Sequence, residues 1–436
     1  MNETDLYTLE VHGLAPTGQL GPEPWLSDPD TIAVLDAIEA GGHPARFVGG
    51  CVRDAIAHRP VSDIDIATPE RPEQVMEFLD SRGIKVVPTG IRHGTVTAVS
   101  GRHAFQITTL RKDVETDGRH ATVAFTDDWI ADARRRDFTF NALSATRNGE
   151  VYDPFEGIPD LAHGYVRFIG RPSDRIAEDY LRVLRFFRFR ATHGREPTNP
   201  DALVACRLAA DHLKSLSGER VRDEMLKILT APNSAEILLM MRGEKVLQEV
   251  LPEAADLGRL RAVEWLETKA IKVVGVGPDR MRRLAATLEP SSAETSSAAI
   301  AHRWRLSNRE TSRLATMAIP LGIDPDSPLD ERRAALHDSG VEAFRDRVLL
   351  MWAGEVANEP RVPATRTAAW IETLELASDW TSPVFPLTGH DVMRLGIERG
   401  PAIGEALRAV EDWWAAGGFN ASRDDCLEEL RRRYAA

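Results

Sequence analysis

The sequence predicts an α+β chain, with an N-terminal mixed-sheet head followed by a mostly helical remainder. Three observations carry this. Between residue 44 and about residue 147, short β-branched runs alternate with helical spacings. From about residue 171 onward the periodicity is almost entirely helical. At 436 residues the chain also exceeds what one ordinary core can hold.

In chain order, residues 1–28 are rich in Gly and Pro and read as a lead-in. "DTIAVLDAIEA" (30–40) has helical spacing and stops at Gly41-Gly42. "RFVGG", "DIDIAT", "GTVTAVS" and "AFQITTLR" read as strands, and "PEQVMEFLDSR" as a helix. The head is placed at 29–170, a neck at 171–230, a body at 231–358 and a tail at 359–436. The Ser-rich "EPSSAETSSAA" (289–299) and the Pro-bearing "DPDSPLDE" (324–331) and "EPRVPATR" (359–366) read as boundaries or connections. "GERVRDEMLKIL" (218–229) reads as amphipathic, with Val221, Met225, Ile228 and Leu229 as its buried stripe and charges of structural use.

Composition narrows the class. Hydrophobic residues make up 43% and charged residues 28%, as in soluble globular proteins. No apolar run approaches the roughly 18 residues that span a bilayer, so no membrane partner is expected. The acidic N-terminus has no apolar stretch, so no secretory leader is expected. Cys51, Cys206 and Cys426 are far apart and offer neither zinc spacing nor a disulfide framework, which fits the cytoplasm. Net charge is −13, which opposes binding to phosphate-rich partners. Residues 167–227 run against that trend, with 13 Lys+Arg and 9 Asp+Glu, a local balance of +4. Nothing in the sequence signals an oligomeric state.

The chemistry-bearing stretch is "RFVGGCVRDAIAHRPVSDIDIATP" (46–69). Side chains two apart on a strand point the same way. Asp63 and Asp65 therefore share one side, with Ile64 and Ile66 opposite. Two such carboxylates raise each other's pKa. A divalent cation removes that cost, and Mg²⁺ favours one or two carboxylates plus substrate phosphates. The plain alternative is a solvated strand end. Ahead of the pair, Gly49-Gly50 permits close backbone approach, a short helix follows, and Arg53 can contact phosphates. The plain alternative there is a tight turn.

"GGCVRD…DIDIAT" resembles the head motif of the nucleotidyltransferase superfamily that includes polymerase-β-like enzymes. "RRDFTFNAL" (135–143), "RIAEDYLRVLRFFRFRA" (175–191) and the tail "PLTGHDVMRLGIERGPAIGEALRAVEDWW" (386–414) resemble the bacterial class of CCA-adding tRNA nucleotidyltransferases and the related poly(A) polymerases. The resemblance implies template-independent addition of C, C and A to the tRNA 3′ end from CTP and ATP. It implies that Asp63 and Asp65 hold Mg²⁺ and that Gly49, Gly50 and Arg53 hold the triphosphate. Arg136 and Asp137 would lie near the ribose and phosphates. Asp179 and Arg182 would read the base, supported by Arg185 and Arg188, and the tail would bind tRNA.

Residue chemistry agrees with that base-reading role. Cytosine and adenine each offer an exocyclic amine beside a ring-nitrogen acceptor. An Asp accepts from the amine and an Arg donates to the ring nitrogen, which rejects uracil and guanine. Asp179 and Arg182 are three apart on an apparent helix, so they are expected to be neighbours; a surface salt bridge is the alternative. Asp137 has an alternative as N-cap of a helix starting near Phe138.

The pattern departs at Gln106, where the resembled strand usually carries an acid before "ITT". "KDVETDGRHATVAF" (112–125) reads as a flexible loop turning at Asp117-Gly118, and it resembles the element by which such enzymes switch from C to A. The related poly(A) polymerases carry proline after the acidic pair; Tyr180 stands there and favours CCA addition. Poly(A) polymerase, a partial CC- or A-adding enzyme, and a silent RNA-binding homologue are the competing readings. His390-Asp391 reads as a turn and cap, and Trp413 and Trp414 as core.

Overall fold

The computed structural model describes residues 11, 15–117, 120–359 and 361–434, with backbone alone over 113–117 and 120–123. The chain divides into two compact units, Met1–Glu224 with Met240–Val250, and Met225–Leu239 with Leu251–Ala436.

The first unit is built on a mixed sheet. Its strands are β1 (Gly18–Gln19), β2 (Arg46–Val48), β3 (Ile64–Thr68), β4 (Lys85–Gly90), β5 (Thr95–Ser100), β6 (His103–Thr109), and, after a separate hairpin of β7 (Arg111–Asp117) with β8 (His120–Phe125), β9 (Ser144–Ala145) and β10 (Glu150–Tyr152). The sheet order is β1-β10-β9-β2-β3-β6-β5-β4. β3 and β6 run parallel; the other pairings are antiparallel. Ile64 and Ile66 are buried as the alternation requires, beside Phe47, Phe105 and Ile107.

Two predicted helices cover the sheet, α1 (Pro29–Glu39) and α3 (Pro72–Ser81); between them α2 (Gly50–Ile56) follows the glycine turn. Asp28 caps α1 by accepting from Asp30 and Thr31 N–H groups. Gly41 ends α1 where no side chain fits, since a Cβ there would lie 2.5 Å from the Phe78 ring.

Residues 15–28 of the lead-in are more ordered than expected. β1 pairs with β10, and Trp25 meets the Phe47 ring edge-on at 4.7 Å. β4 escaped the sequence reading because Pro88 interrupts it; it lies at the sheet edge with an irregular register between Val87 and Gly90, where proline is tolerated. The expected flexible loop at 112–125 is instead the β7–β8 ladder. The turn expected at Asp117-Gly118 involves residue 118, outside the described residues.

The unit continues through α4 (Trp129–Arg134), α5 (Gly157–His163), α6 (Pro172–Glu178), α7 (Leu181–His193), α8 (Pro200–Ala209) and α9 (Gly218–Thr230), the last running on into the second unit. The apparent single helix over 175–191 is broken at Asp179-Tyr180, where Asp179 is extended (φ −156°, ψ 106°). Val221, Met225, Ile228 and Leu229 of α9 are buried as predicted.

The second unit is helical. Helix Leu257–Trp265 packs along Val341–Asn358. The Ser-rich stretch is a helix, Ala293–Trp304, rather than a connection; its alanines favour the helix more than the serines oppose it. The tail buries Leu387, Val392, Ala406, Val410, Trp414, Cys426 and Leu430 together, with Trp413 packed against them. Asp391 accepts from Thr388 in a capping box, the cap expected at His390-Asp391. Among the described residues, no helix is long and apolar enough to cross a membrane. All three cysteines are free and buried.

Candidate active site

The glycine turn is built by backbone geometry. Gly49 adopts φ 69° and ψ −116°, a left-handed conformation that favours glycine. A Cβ there would come within 3.1 Å of Arg136 Nη1, so the "RRD" segment lies against the turn. Gly50 opens α2, and Arg53 N–H donates to Gly49 O at 3.0 Å. Arg53 is folded back: its Nε and Nη2 donate to Asp54 at 2.9 and 2.8 Å, and Nη1 to Asn141 Oδ1 at 2.7 Å.

Asp63 is exposed just before β3 and accepts from Ser62 Oγ at 3.1 Å. Asp65, on β3, is half-buried and stands in register with Gln106 of β6. Burial pushes the Asp65 carboxyl above its usual range; the Arg136 charge opposes this and the Asp63 charge adds to it. The hard oxygen donors of the two carboxylates fit a hard divalent cation.

Asp137 is buried and does not cap a helix, since the short turn Thr139–Asn141 begins with Phe138 as its cap. It is a hub. Oδ1 accepts from Phe138 N–H and Asn141 Nδ2 at 2.9 Å each, and Oδ2 from Arg185 Nε at 2.6 Å. Burial alone would raise its pKa, but the Arg185 charge and these hydrogen bonds hold it at about 2. Arg136 is fixed by donating to Asp132 Oδ2 at 3.1 Å and Asn141 O at 3.3 Å.

The two expected base readers do not pair with each other, because the break after α6 separates them. Asp179 Oδ2 accepts from Arg220 of α9 at 2.7 Å and Oδ1 from Leu181 N–H at 3.1 Å. Arg182 donates to Glu178 Oε2 at 2.5 Å and Arg175 O at 2.8 Å. Arg188 pairs with Glu224 at 2.7 Å and lies over the Phe189 ring at 4.1 Å. Sequence reasoning missed Asn141, Glu178, Arg220 and Glu224 as partners. Only Glu178, four residues before Arg182, left a local signal.

Asp28, Asp30 and His103 bring ligand atoms within 4.8 Å of one another. Asp28 there serves as the α1 cap and Asp30 accepts from Ser100 Oγ.

The family model described as the poly A polymerase head domain matches residues 45–167. A second, described as a probable RNA and SrmB-binding site of polymerase A, matches 199–257. CCA tRNA nucleotidyltransferase 1, mitochondrial, of Danio rerio is 33% identical over 412 residues, covering 92% of this chain and 90% of that one. The chain belongs to the CCA tRNA nucleotidyltransferase family. The family likeness reaches bacteria: the CCA-adding enzyme of Streptococcus pneumoniae R6 is 28% identical over 92% of this chain and 96% of its own length. The Bacillus stearothermophilus CCA-adding enzyme, solved in complex with CTP, superposes with TM-score 0.73 at 26% identity, covering 94% of this chain and 98% of that one. The fold is shared with the Thermotoga maritima CCA-adding enzyme, TM-score 0.60 at 20% identity over 94% and 97% of the two chains. The mixed-sheet head and helical remainder expected from the sequence are the architecture of this family.

Proposed function

We propose that this chain adds C, C and A to the 3′ end of tRNA, using CTP and ATP and releasing pyrophosphate without a nucleic-acid template. The observation that carries the reading is likeness to CCA-named relatives over nearly the whole chain, joined to one local arrangement. Gly49 abuts Arg136, Arg136 acts on Asp65, and Arg53 is tied through Asn141 to Asp137.

In this reading Asp63 and Asp65 hold Mg²⁺, which when bound activates the attacking 3′-hydroxyl and stabilises the leaving pyrophosphate. Gly49 and Gly50 let the triphosphate approach the backbone, and Arg53 donates to it. Arg136 and Asp137 frame the ribose side. Asp179 accepts the exocyclic amine of C or A and Arg182 donates to the ring nitrogen, while Arg185 and Arg188 hold their surroundings through Asp137 and Glu224. The head over 29–170 carries catalysis, the neck over 171–230 reads the base, and the tail over 359–436 binds tRNA. Cytoplasmic residence accords with the free, buried cysteines.

The test uses purified protein, Mg²⁺, and tRNAs ending before, within and after CCA, with CTP and ATP singly and together. Three ordered additions followed by a stop are expected. Long A tracts would indicate a poly(A) polymerase, and no incorporation would sink both readings.

A further inference from the structure

Arg53 is braced more firmly than a free phosphate-binding side chain needs to be. Adjacent helix residues do not face one another, yet the Asp54 carboxylate takes both Nε and Nη2 of Arg53, at 2.9 and 2.8 Å. Nη1 goes to Asn141 at 2.7 Å. A guanidinium has five N–H groups, so these three bonds leave one donor on each Nη nitrogen. The guanidinium carbon lies 5.1 Å from the Phe189 ring.

Asp54 is in turn backed by His193, the last residue of α7. His193 Nε2 lies 3.4 Å from Asp54 Oδ1, and Nδ1 is 2.8 Å from Thr192 Oγ1. The His193 side chain is 6% exposed, stacked on Phe140 at 5.9 Å and set against Phe189 at 5.8 Å. Arg59 closes the remaining side, with Nη1 3.4 Å from His193 Nε2 and Nη2 donating to Thr192 O at 2.5 Å. Although burial opposes it, hydrogen bonds from His193 and Arg53 and the Arg53 charge hold the Asp54 pKa at about 2. Asp54 is therefore a permanent anion between the head and the end of α7.

We propose that Asp54 and His193 are positioning residues for Arg53, holding its guanidinium so that the two remaining N–H groups meet the triphosphate of either nucleotide. The inference rests on the preceding reading, in which Arg53 contacts that triphosphate. An unbraced arginine loses rotamer freedom when its ligand arrives; here that ordering is complete in the folded chain. Because CTP and ATP share the triphosphate, the contribution is blind to the base.

The experiment measures KM and kcat for CTP and ATP, and inhibition by inorganic tripolyphosphate, which carries no base. Asp54→Asn removes the charge and turns an amide N–H toward the guanidinium. It is expected to raise both KM values and the tripolyphosphate inhibition constant by one common factor, about tenfold, with a smaller fall in kcat. His193→Gln is expected to move the same constants the same way by about threefold. Discrimination against UTP and GTP stays at the wild-type level in both. A folded Asp54→Asn whose constants remain within twofold of wild type overturns the proposal, as does an effect confined to one nucleotide. If Asp54→Asn does not fold, His193→Gln decides on the same constants. A wild-type chain that incorporates nothing sinks the parent reading; an active wild type with an unmoved tripolyphosphate constant in the variants sinks this inference alone.

Discussion

Asp65 on β3 and Gln106 on β6 stand directly opposite each other across the parallel strand pair. In-register partners point to the same side of a sheet, about 4.8 Å apart. A neutral amide therefore occupies the place where a third carboxylate would face the Asp63–Asp65 pair. Burial already pushes Asp65 upward, with the Asp63 charge adding to it. Gln106→Glu adds repulsion costing roughly 0.5 kcal/mol without metal and an extra oxygen donor with it. The expected result is a severalfold lower Mg²⁺ concentration for half-maximal CTP incorporation. An unchanged Mg²⁺ titration and rate would exclude a ligand role at this position.

The carboxylate pair itself gives the larger effect. Asp63→Asn removes an exposed charge from the strand end and should leave the fold intact. Loss of several kcal/mol of transition-state stabilisation lowers incorporation by more than about a hundredfold. tRNA binding, followed by gel shift, should persist. Normal turnover by this variant would refute the metal assignment.

The two residues proposed to read the base are held by different partners, Asp179 by Arg220 and Arg182 by Glu178. Asp179→Ala deletes the proposed amine acceptor and frees Arg220. Misincorporation of UTP and GTP relative to CTP and ATP should rise by at least about tenfold. Glu178→Gln loosens Arg182 without removing it and should give a smaller rise. Single-nucleotide incorporation with all four triphosphates reads both; unaltered selectivity in Asp179→Ala would mean that the base is read elsewhere.

The strand that carries the aspartate pair was legible because alternation marks a half-buried strand: Ile64 and Ile66 sink, and Asp63 and Asp65 remain accessible. β1, β9 and β10 were not, because two or three residues are too few to show a period. The break at Asp179 was hidden because helical spacing continues across it, and Glu178 with Arg182 forms an ordinary i,i+4 pair. What ends α6 is local side-chain chemistry, Asp179 turning to accept from Leu181 N–H, together with the distant Arg220. The network tying Arg53, Asn141, Asp137 and Arg185 joins residues up to 132 positions apart, and no local pattern encodes such pairings.

Asp137 predicts a pH dependence. Its folded pKa of about 2 lies below the ordinary 3.8, so its contribution is complete above the unfolded value and is lost as pH falls through about 2. The shift corresponds to about 2 kcal/mol. Asp137→Asn should lose that amount at pH 7, and the gap between variant and wild type should close between about pH 4 and pH 2. Urea unfolding across that range measures it. A gap that stays constant with pH would show that shape, and not ionisation, accounts for the loss.

The second unit carries a fully buried cation whose removal tests what holds the helices together. Arg283 has no exposed surface and donates to Glu267 Oε2 at 2.7 Å and to the carbonyls of Leu229 and Ala231 at 2.8 and 2.7 Å. Glu267 also accepts from Arg282 Nε at 2.8 Å, and Arg282 Nη1 donates to Asp346 Oδ1 at 2.8 Å. A buried pair gains little over an apolar replacement, yet breaking it strands a charge. Arg283→Met keeps most of the volume but leaves one Glu267 oxygen and two buried carbonyls without their donor, a loss of about 3 kcal/mol. Arg283→Met with Glu267→Gln removes the charge left with one unpaired oxygen and should recover part of it, because contacting sites are not additive. Denaturant midpoints of Arg283→Met, Glu267→Gln and the double variant decide the matter: a double variant as unstable as the sum of its parts would mean that lost packing, and not the unpaired charge, is the cost.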